Sequence, residues 1–159
     1  MHASGYEPWS AERAAQIIAD HQHMAGAAMP ILHAIQEAFG FVPDTVVPMI
    51  AETLNLSRAE VHGVVTFYHD FRREPPGRHV IKLCAAEACQ SVGARALTAY
   101  AEDKLGLEMG ETSPDGRVTL EPIYCLGLCA CAPAGMVNGR LVGRLDTDAI
   151  DEIAAEASR

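Results

Sequence analysis

Five cysteines fall between positions 84 and 131, and the chain has no others. Cys84 and Cys89 are separated by four residues, Cys125 and Cys129 by three, and each pair follows an apolar run that reads as a strand. Two thiolates on one short loop can chelate one metal atom. Two such loops meeting at one edge of a sheet can therefore hold two irons bridged by sulfide. The residues between the cysteines suit that task. Ala85, Ala86 and Ala88 take little space, Gly127 lets the backbone come close, and Leu126 and Leu128 can keep water away. Backbone N–H groups directed at the sulfurs would then tune the potential of the metal group.

Other chemistries fit less well. A structural Cys₄ zinc site, in a zinc-stabilised assembly protein without a redox role, would use the same ligands. Zinc sites usually place two residues between paired cysteines, occasionally up to four, which ranks zinc second. Thiol–disulfide exchange prefers C-x-x-C, and the closer pair Cys129-Ala130-Cys131 lacks that spacing. Cys131 is expected to be a small buried hydrophobe beside the site, although spacing alone leaves open its replacing Cys129 as a ligand. Of the histidines only His21 and His23 stand close together, and on a helix they face different directions, so both are expected in solvent. No phosphate-binding glycine loop, nucleophile elbow or carboxylate pair occurs. The chain by itself is expected to have no catalytic residue and no substrate site.

The elements that must position the cysteines follow from periodicity. A helix capped by Ser10 carries Ala14, Ile17 and Ile18 and is expected to reach Met24. Pro30 suits the first turn of a second helix, with Ile31, Leu32, Ile35 and Phe39 on one stripe and Gly40 at its end. Asp44 or Thr45 opens a third, with Val46, Val47, Ile50 and Leu54, and Ser57-Arg58-Ala59-Glu60 is a capping box that opens a fourth. The aromatic-rich segment from Val64 to Phe71 is expected to pack where this helical half meets the next domain, with a partner interface as the alternative. Two prolines and a glycine in Pro75-Pro76-Gly77 break the pattern. Beyond them come a strand over 79–83, a helix over 92–105, a strand over 118–124, a hairpin turning at Asn138-Gly139 and a helix over 147–157. The expected fold is α+β: a helical bundle over 1–76, then an α/β domain over 77–159 with helices on a mixed sheet.

Composition narrows the partners. With 49% hydrophobic and 21% charged residues over 159 positions, the chain should bury a core. Its formal net charge of -9 would repel nucleic acid and anionic lipid surfaces. The sequence shows neither a secretion signal nor an apolar run long enough for a membrane span, so a cytoplasmic location is expected. In that reducing compartment clustered cysteines are metal ligands rather than disulfides.

Cys84-x₄-Cys89, the run Cys125-Leu126-Gly127-Leu128-Cys129 and the following Ala132-Pro133 resemble the thioredoxin-like [2Fe–2S] ferredoxin family. The resemblance extends through 31–37 with Gly40 and through Thr66-Phe67-Tyr68. It implies a thioredoxin-like second domain carrying one [2Fe–2S] cluster on Cys84, Cys89, Cys125 and Cys129, with electron transfer as the activity. It also implies docking against a flavin- and NAD-binding diaphorase subunit. Within the family, the stretches 67–72 and 86–90 look most like the small subunit of NAD-dependent formate dehydrogenases, which implies a molybdenum-containing catalytic partner. Small subunits of complex I and of NAD-reducing hydrogenases are the alternatives.

Overall fold

Ser10 opens α1 (Ala11–His21) by accepting the Arg13 N–H at 3.3 Å. This is a computed structural model, and it describes residues 5–157. The helix stops short of Met24: the Gln22 N–H closes on the Ile18 carbonyl, and the His21 ring lies 2.8 Å from the Ile17 carbonyl through Nδ1. His21 is thus half-buried, while His23 is exposed. Gly40 ends α2 (Ala28–Phe39) with φ +82°, and a Cβ there would lie 2.7 Å from the Tyr6 ring. Thr45 precedes α3 (Val46–Leu54) without a side-chain cap, and Asp44 pairs instead with Arg73. The capping box of α4 (Arg58–Phe67) forms in both directions: Ser57 Oγ accepts the Glu60 N–H at 3.1 Å, and the Ser57 N–H donates to the Glu60 carboxylate at 2.8 Å. The apolar stripes of the four helices meet in one core that includes Ile17, Ile31, Leu32, Ile35, Ile50 and Val61.

The aromatic segment divides between the helical core and the surface. Phe71 is buried in this helical core, but Phe67 is 73% exposed and Tyr68 is exposed beside it. The cause is angular. Val61 and Val65 form the inward stripe of α4, and Phe67 lies about 200° further round from Val65 at two residues' distance. Tyr68 has already left the helix in an extended conformation.

The chain divides between Pro75 and Pro76 into two compact units. The second is built on a four-stranded sheet in the order β2-β1-β3-β4. β1 (His79–Cys84) and β2 (Val118–Ile123) run parallel, with Cys84 opposite Ile123. β3 (Ala134–Val137) is antiparallel to β1, and β4 (Arg140–Gly143) to β3. Asn138 and Gly139 make the hairpin turn, both with positive φ, as a tight primed turn requires. A parallel pair needs a crossover. Here it is α5 (Glu87–Ser91) and α6 (Ala94–Leu105), separated where Gly93 takes φ +97°. The single helix expected over 92–105 is thus preceded by a separate short one that carries Cys89. With α7 (Thr147–Ala157), α6 covers a core that includes Ile81, Leu97, Leu120, Ile150 and Ile153. The mixed sheet and the α+β class agree with the sequence expectation. Among the described residues no helix is long and apolar enough to cross a membrane.

The turn into β2 is held by Asp115. Its carboxylate accepts from Ser113 Oγ at 2.6 Å and from the Arg117 N–H and guanidinium, which hold its pKa at about 2 against an ordinary 3.8. Because the folded value is depressed, the resulting stabilisation is complete above the ordinary value and is lost as pH falls towards about 2. Asp115→Asn should therefore flatten the loss of unfolding free energy between about pH 4 and about pH 2, followed by urea denaturation. An unchanged pH slope would contradict this assignment.

Candidate metal centre

The parallel register of β1 and β2 decides where the cysteines go. Cys84 is the last residue of β1 and faces Ile123, and the Ala85 N–H extends the pairing by donating to the Ile123 carbonyl at 2.8 Å. Two residues beyond Ile123 comes Cys125, so both cysteine loops leave the same end of the sheet. Within the first loop, α5 brings Cys89 back towards Cys84. After Gly127 the second loop closes in a single 3₁₀ turn, Cys129–Cys131.

All five thiols are free. Cys84 and Cys89 are 3% and 2% exposed, whereas Cys125 and Cys129 are exposed. Ala94 and Ala134 are buried with Cys84 and Cys89, and Ile123, Leu126 and Leu128 pack against them. Small residues keep the site open, while the two leucines supply the apolar wall.

The thiols meet in twos. Burial pushes Cys89 up, and a hydrogen bond shared with Cys84 adds to the effect, while the Ala134 N–H partly offsets it. On Cys84, burial acts in the same direction but is outweighed by the N–H groups of Ala86, Cys125 and Leu126 and by the Cys89 thiol, leaving it below its usual value. Cys129 is pushed up by its hydrogen bond with Cys125 and by repulsion from it. Cys129 also bears electrostatically on both Cys84 and Cys89. Among the described residues no group of three or more His, Cys, Asp or Glu side chains is gathered as a single ion would require. Thiolates held this close repel one another, and metal cations bound among them would neutralise that repulsion. An all-sulfur set arranged two and two suits a pair of bridged irons.

Backbone strain marks the same place. Cys125 has φ +76°, a left-handed conformation that costs a residue with a side chain roughly 1–2 kcal/mol, and Gly127 has φ +75°. Such strain persists only where the surroundings over-determine it.

Cys131 is half-buried rather than buried. Its carbonyl accepts the Arg144 N–H at 2.6 Å, and its Cβ sits so near β4 that a Cβ on Gly143 would lie 2.8 Å from it. Sequence reasoning did not reach α5, the left-handed Cys125 or the cross-loop N–H donors. All three depend on how two distant loops meet.

The model of the thioredoxin-like [2Fe–2S] ferredoxin family matches residues 14–158. The chain is 36% identical over 127 residues to an NADH-quinone oxidoreductase subunit of Pseudomonas aeruginosa, an alignment covering 80% of this chain and 76% of that protein. It is 32% identical over 141 residues to the NADP-reducing hydrogenase subunit HndA of Solidesulfovibrio fructosivorans, covering 89% of this chain and 82% of the relative. The crystal structure of an NAD⁺-reducing [NiFe]-hydrogenase in the air-oxidized state superposes on 82% of this chain with a TM-score of 0.70 at 24% identity, which shows a shared fold. This chain spans 22% of that hydrogenase chain.

The tight seat of the second loop on β4 gives a direct test. Gly143→Ala would place its Cβ 2.8 Å from the Cys131 Cβ and 3.0 Å from the Cys131 carbonyl oxygen. Chemical denaturation should show a loss of about 1–3 kcal/mol, the range for overpacking. Wild-type stability in this variant would mean that the loop is free to shift.

Proposed function

The chain belongs to the thioredoxin-like [2Fe–2S] ferredoxin family, and from that premise we propose that Cys84, Cys89, Cys125 and Cys129 hold its one [2Fe–2S] cluster in a domain spanning 77–159. The observation that supports this assignment is that two loops, each carrying a pair of interacting thiols, leave the same end of the sheet after the parallel strands β1 and β2. When bound, the cluster supplies one-electron exchange. The protein's own groups do the rest. Cys84 and Cys89 anchor the group in the apolar interior, and the N–H groups of Ala86, Cys125, Leu126 and Ala134 stabilise the negative charge on their sulfurs. Cys125 and Cys129 reach the surface, which gives electrons their shortest route in and out.

The chain then acts as a non-catalytic electron-transfer subunit of an NAD(P)-linked oxidoreductase in the cytoplasm. It exchanges electrons with a flavin-bearing diaphorase subunit. The finer reading, an NAD-dependent formate dehydrogenase with a molybdenum-containing catalytic subunit, rests on the stretches 67–72 and 86–90. The second reading is the equivalent subunit of an NADH-quinone oxidoreductase or hydrogenase, favoured by the identity to proteins so named.

Replacing any one of Cys84, Cys89, Cys125 or Cys129 by Ser should weaken or abolish the visible absorption of the cluster, whereas Cys131→Ser should leave the spectrum nearly unchanged. Bleaching by Cys131→Ser would overturn the ligand set, and colourless wild-type protein containing zinc without acid-labile sulfide would overturn the redox reading. Anaerobic affinity purification with metal analysis separates the complexes. Molybdenum in the co-purified assembly is expected for a formate dehydrogenase. Nickel without molybdenum would replace that reading with a hydrogenase.

A further inference from the structure

Among the described residues of the second unit, three large apolar side chains stand in solvent: Val92, Tyr124 and Leu141, at 54%, 75% and 50% exposure. Two of them belong to the cysteine loops. Tyr124 directly precedes Cys125, and Val92 caps α5, where its N–H donates to the Cys89 carbonyl at 3.2 Å. The two loops are joined at their base, since the Ala85 N–H donates to the Ile123 carbonyl at 2.8 Å. Leu141 lies elsewhere, on the edge strand β4, in the row that runs through Met136 to Lys82.

Nothing inside the chain uses the Tyr124 side chain. Among the described residues its ring meets no other aromatic ring and its hydroxyl makes no hydrogen bond. A tyrosine left this way keeps a large apolar surface to bury and a polar tip to satisfy, the combination that makes tyrosine a frequent anchor of protein interfaces. Its neighbour Cys125 is one of the two exposed thiols of the proposed ligand set. Charge is sparse here. Residues 84–94 and 124–139 hold one charged side chain, Glu87. At the border of the first loop Arg95 donates to Gln90, and Arg144 is tied to the second by its N–H on the Cys131 carbonyl. The acidic excess of the chain, net charge -9, therefore lies elsewhere. The match for this rim is an apolar surface with little charge of its own. A strongly cationic partner would be drawn to the acidic remainder of the chain, and a strongly anionic one repelled by it.

Resting on the electron-carrier reading above, we infer that Tyr124, with Val92, anchors the flavin-bearing subunit through an apolar, nearly uncharged docking surface beside the exposed thiols Cys125 and Cys129. Docking there brings the partner to the two proposed ligands that reach the surface. One electron then passes between the partner's flavin and the cluster, and no bond forms or breaks in this chain.

The test isolates the affinity-tagged chain with its complex, under anaerobic conditions, as wild type, Tyr124→Phe, Tyr124→Ala, Val92→Glu and Leu141→Ala. Flavin retained on the captured complex over a dilution series reads docking, cluster reduction by NADH or NADPH reads transfer, and a dithionite titration reads the cluster itself. Tyr124→Ala should weaken flavin retention roughly 30-fold, the scale on which truncating an anchoring tyrosine acts, and slow the nicotinamide-driven reduction. Its cluster spectrum, midpoint and unfolding should stay as in wild type. Tyr124→Phe and Leu141→Ala should keep retention, and added salt should not release the flavin. Wild-type retention and rate in Tyr124→Ala would overturn the inference. If Tyr124→Ala loses the cluster, Val92→Glu, which places a charge on the rim from the other loop, decides: lost flavin supports the inference and unchanged retention overturns it. Self-association of the isolated chain that Tyr124→Ala abolishes, with flavin retention intact, would make the rim an interface between copies and overturn the inference. Wild-type complex without flavin would overturn the proposed function together with it.

Discussion

Parallel pairing of β1 with β2 is the constraint on which the site depends. In an antiparallel pair the two strand ends that carry cysteines would lie at opposite edges of the sheet. Parallel strands bring both C-terminal ends to one edge, and the register that sets Cys84 opposite Ile123 places Cys125 two residues past its neighbour. That geometry requires a crossover long enough to return the chain, which α5 and α6 provide. The crossover also carries Cys89, on its first short helix. Burial of Leu120, Ile81, Leu97 and Ile150 in one core fixes the register. A one-residue slip would turn these side chains out of the core and carry the second loop away from the first.

The electrostatics of the site follow from its asymmetric burial. Cys84 and Cys89 lie in an interior where a bare thiolate is costly, and the chain answers with peptide N–H groups drawn from three separate places: Ala86 in the first loop, Cys125 and Leu126 in the second, and Ala134 at the start of β3. The exposed pair has water for the same purpose. Holding Cys125 at φ +76° works against stability locally, yet it delivers two of the donors to Cys84. Strain in one loop is thus exchanged for solvation of a sulfur in the other.

How much of this could be read beforehand depended on distance along the chain. The Ser57–Glu60 capping box, the Asn138-Gly139 hairpin and α7 are local features, each specified within a few residues, and the structure forms them where the sequence predicts. The mixed sheet was legible from strand runs with cysteines at their ends. α5 was not: five residues, Glu87–Ser91, carry too little periodicity to show a helix, and its packing against the site makes it one. Composition alone says that aromatic rings prefer a core, whereas helix phase and the early end of α4 leave Phe67 and Tyr68 outside the helical one. Cys131 was expected to be buried on the strength of its type. Its half-exposure follows from the 3₁₀ turn, which holds it at the rim against Gly143.

The sequence of the two loops also explains why peptide groups carry this role. Residues 84–94 and 124–139 contain no Lys or Arg, and their one charged residue is Glu87. In a chain of net charge -9, no basic side chain of either loop offsets the charge that a metal–sulfur group gains on reduction. Peptide dipoles are the positive groups that these two loops themselves supply, beside the Arg95 guanidinium that donates to Gln90 Oε1 at 2.8 Å, and they differ from lysine or histidine in one consequential way. A peptide N–H does not titrate in the physiological range, so its contribution is the same at every pH at which the fold is intact. Donors buried with Cys84 are also poorly screened by salt. Peptide donors therefore meet added charge without gaining a proton, and Glu87 is the one carboxylate within the two stretches.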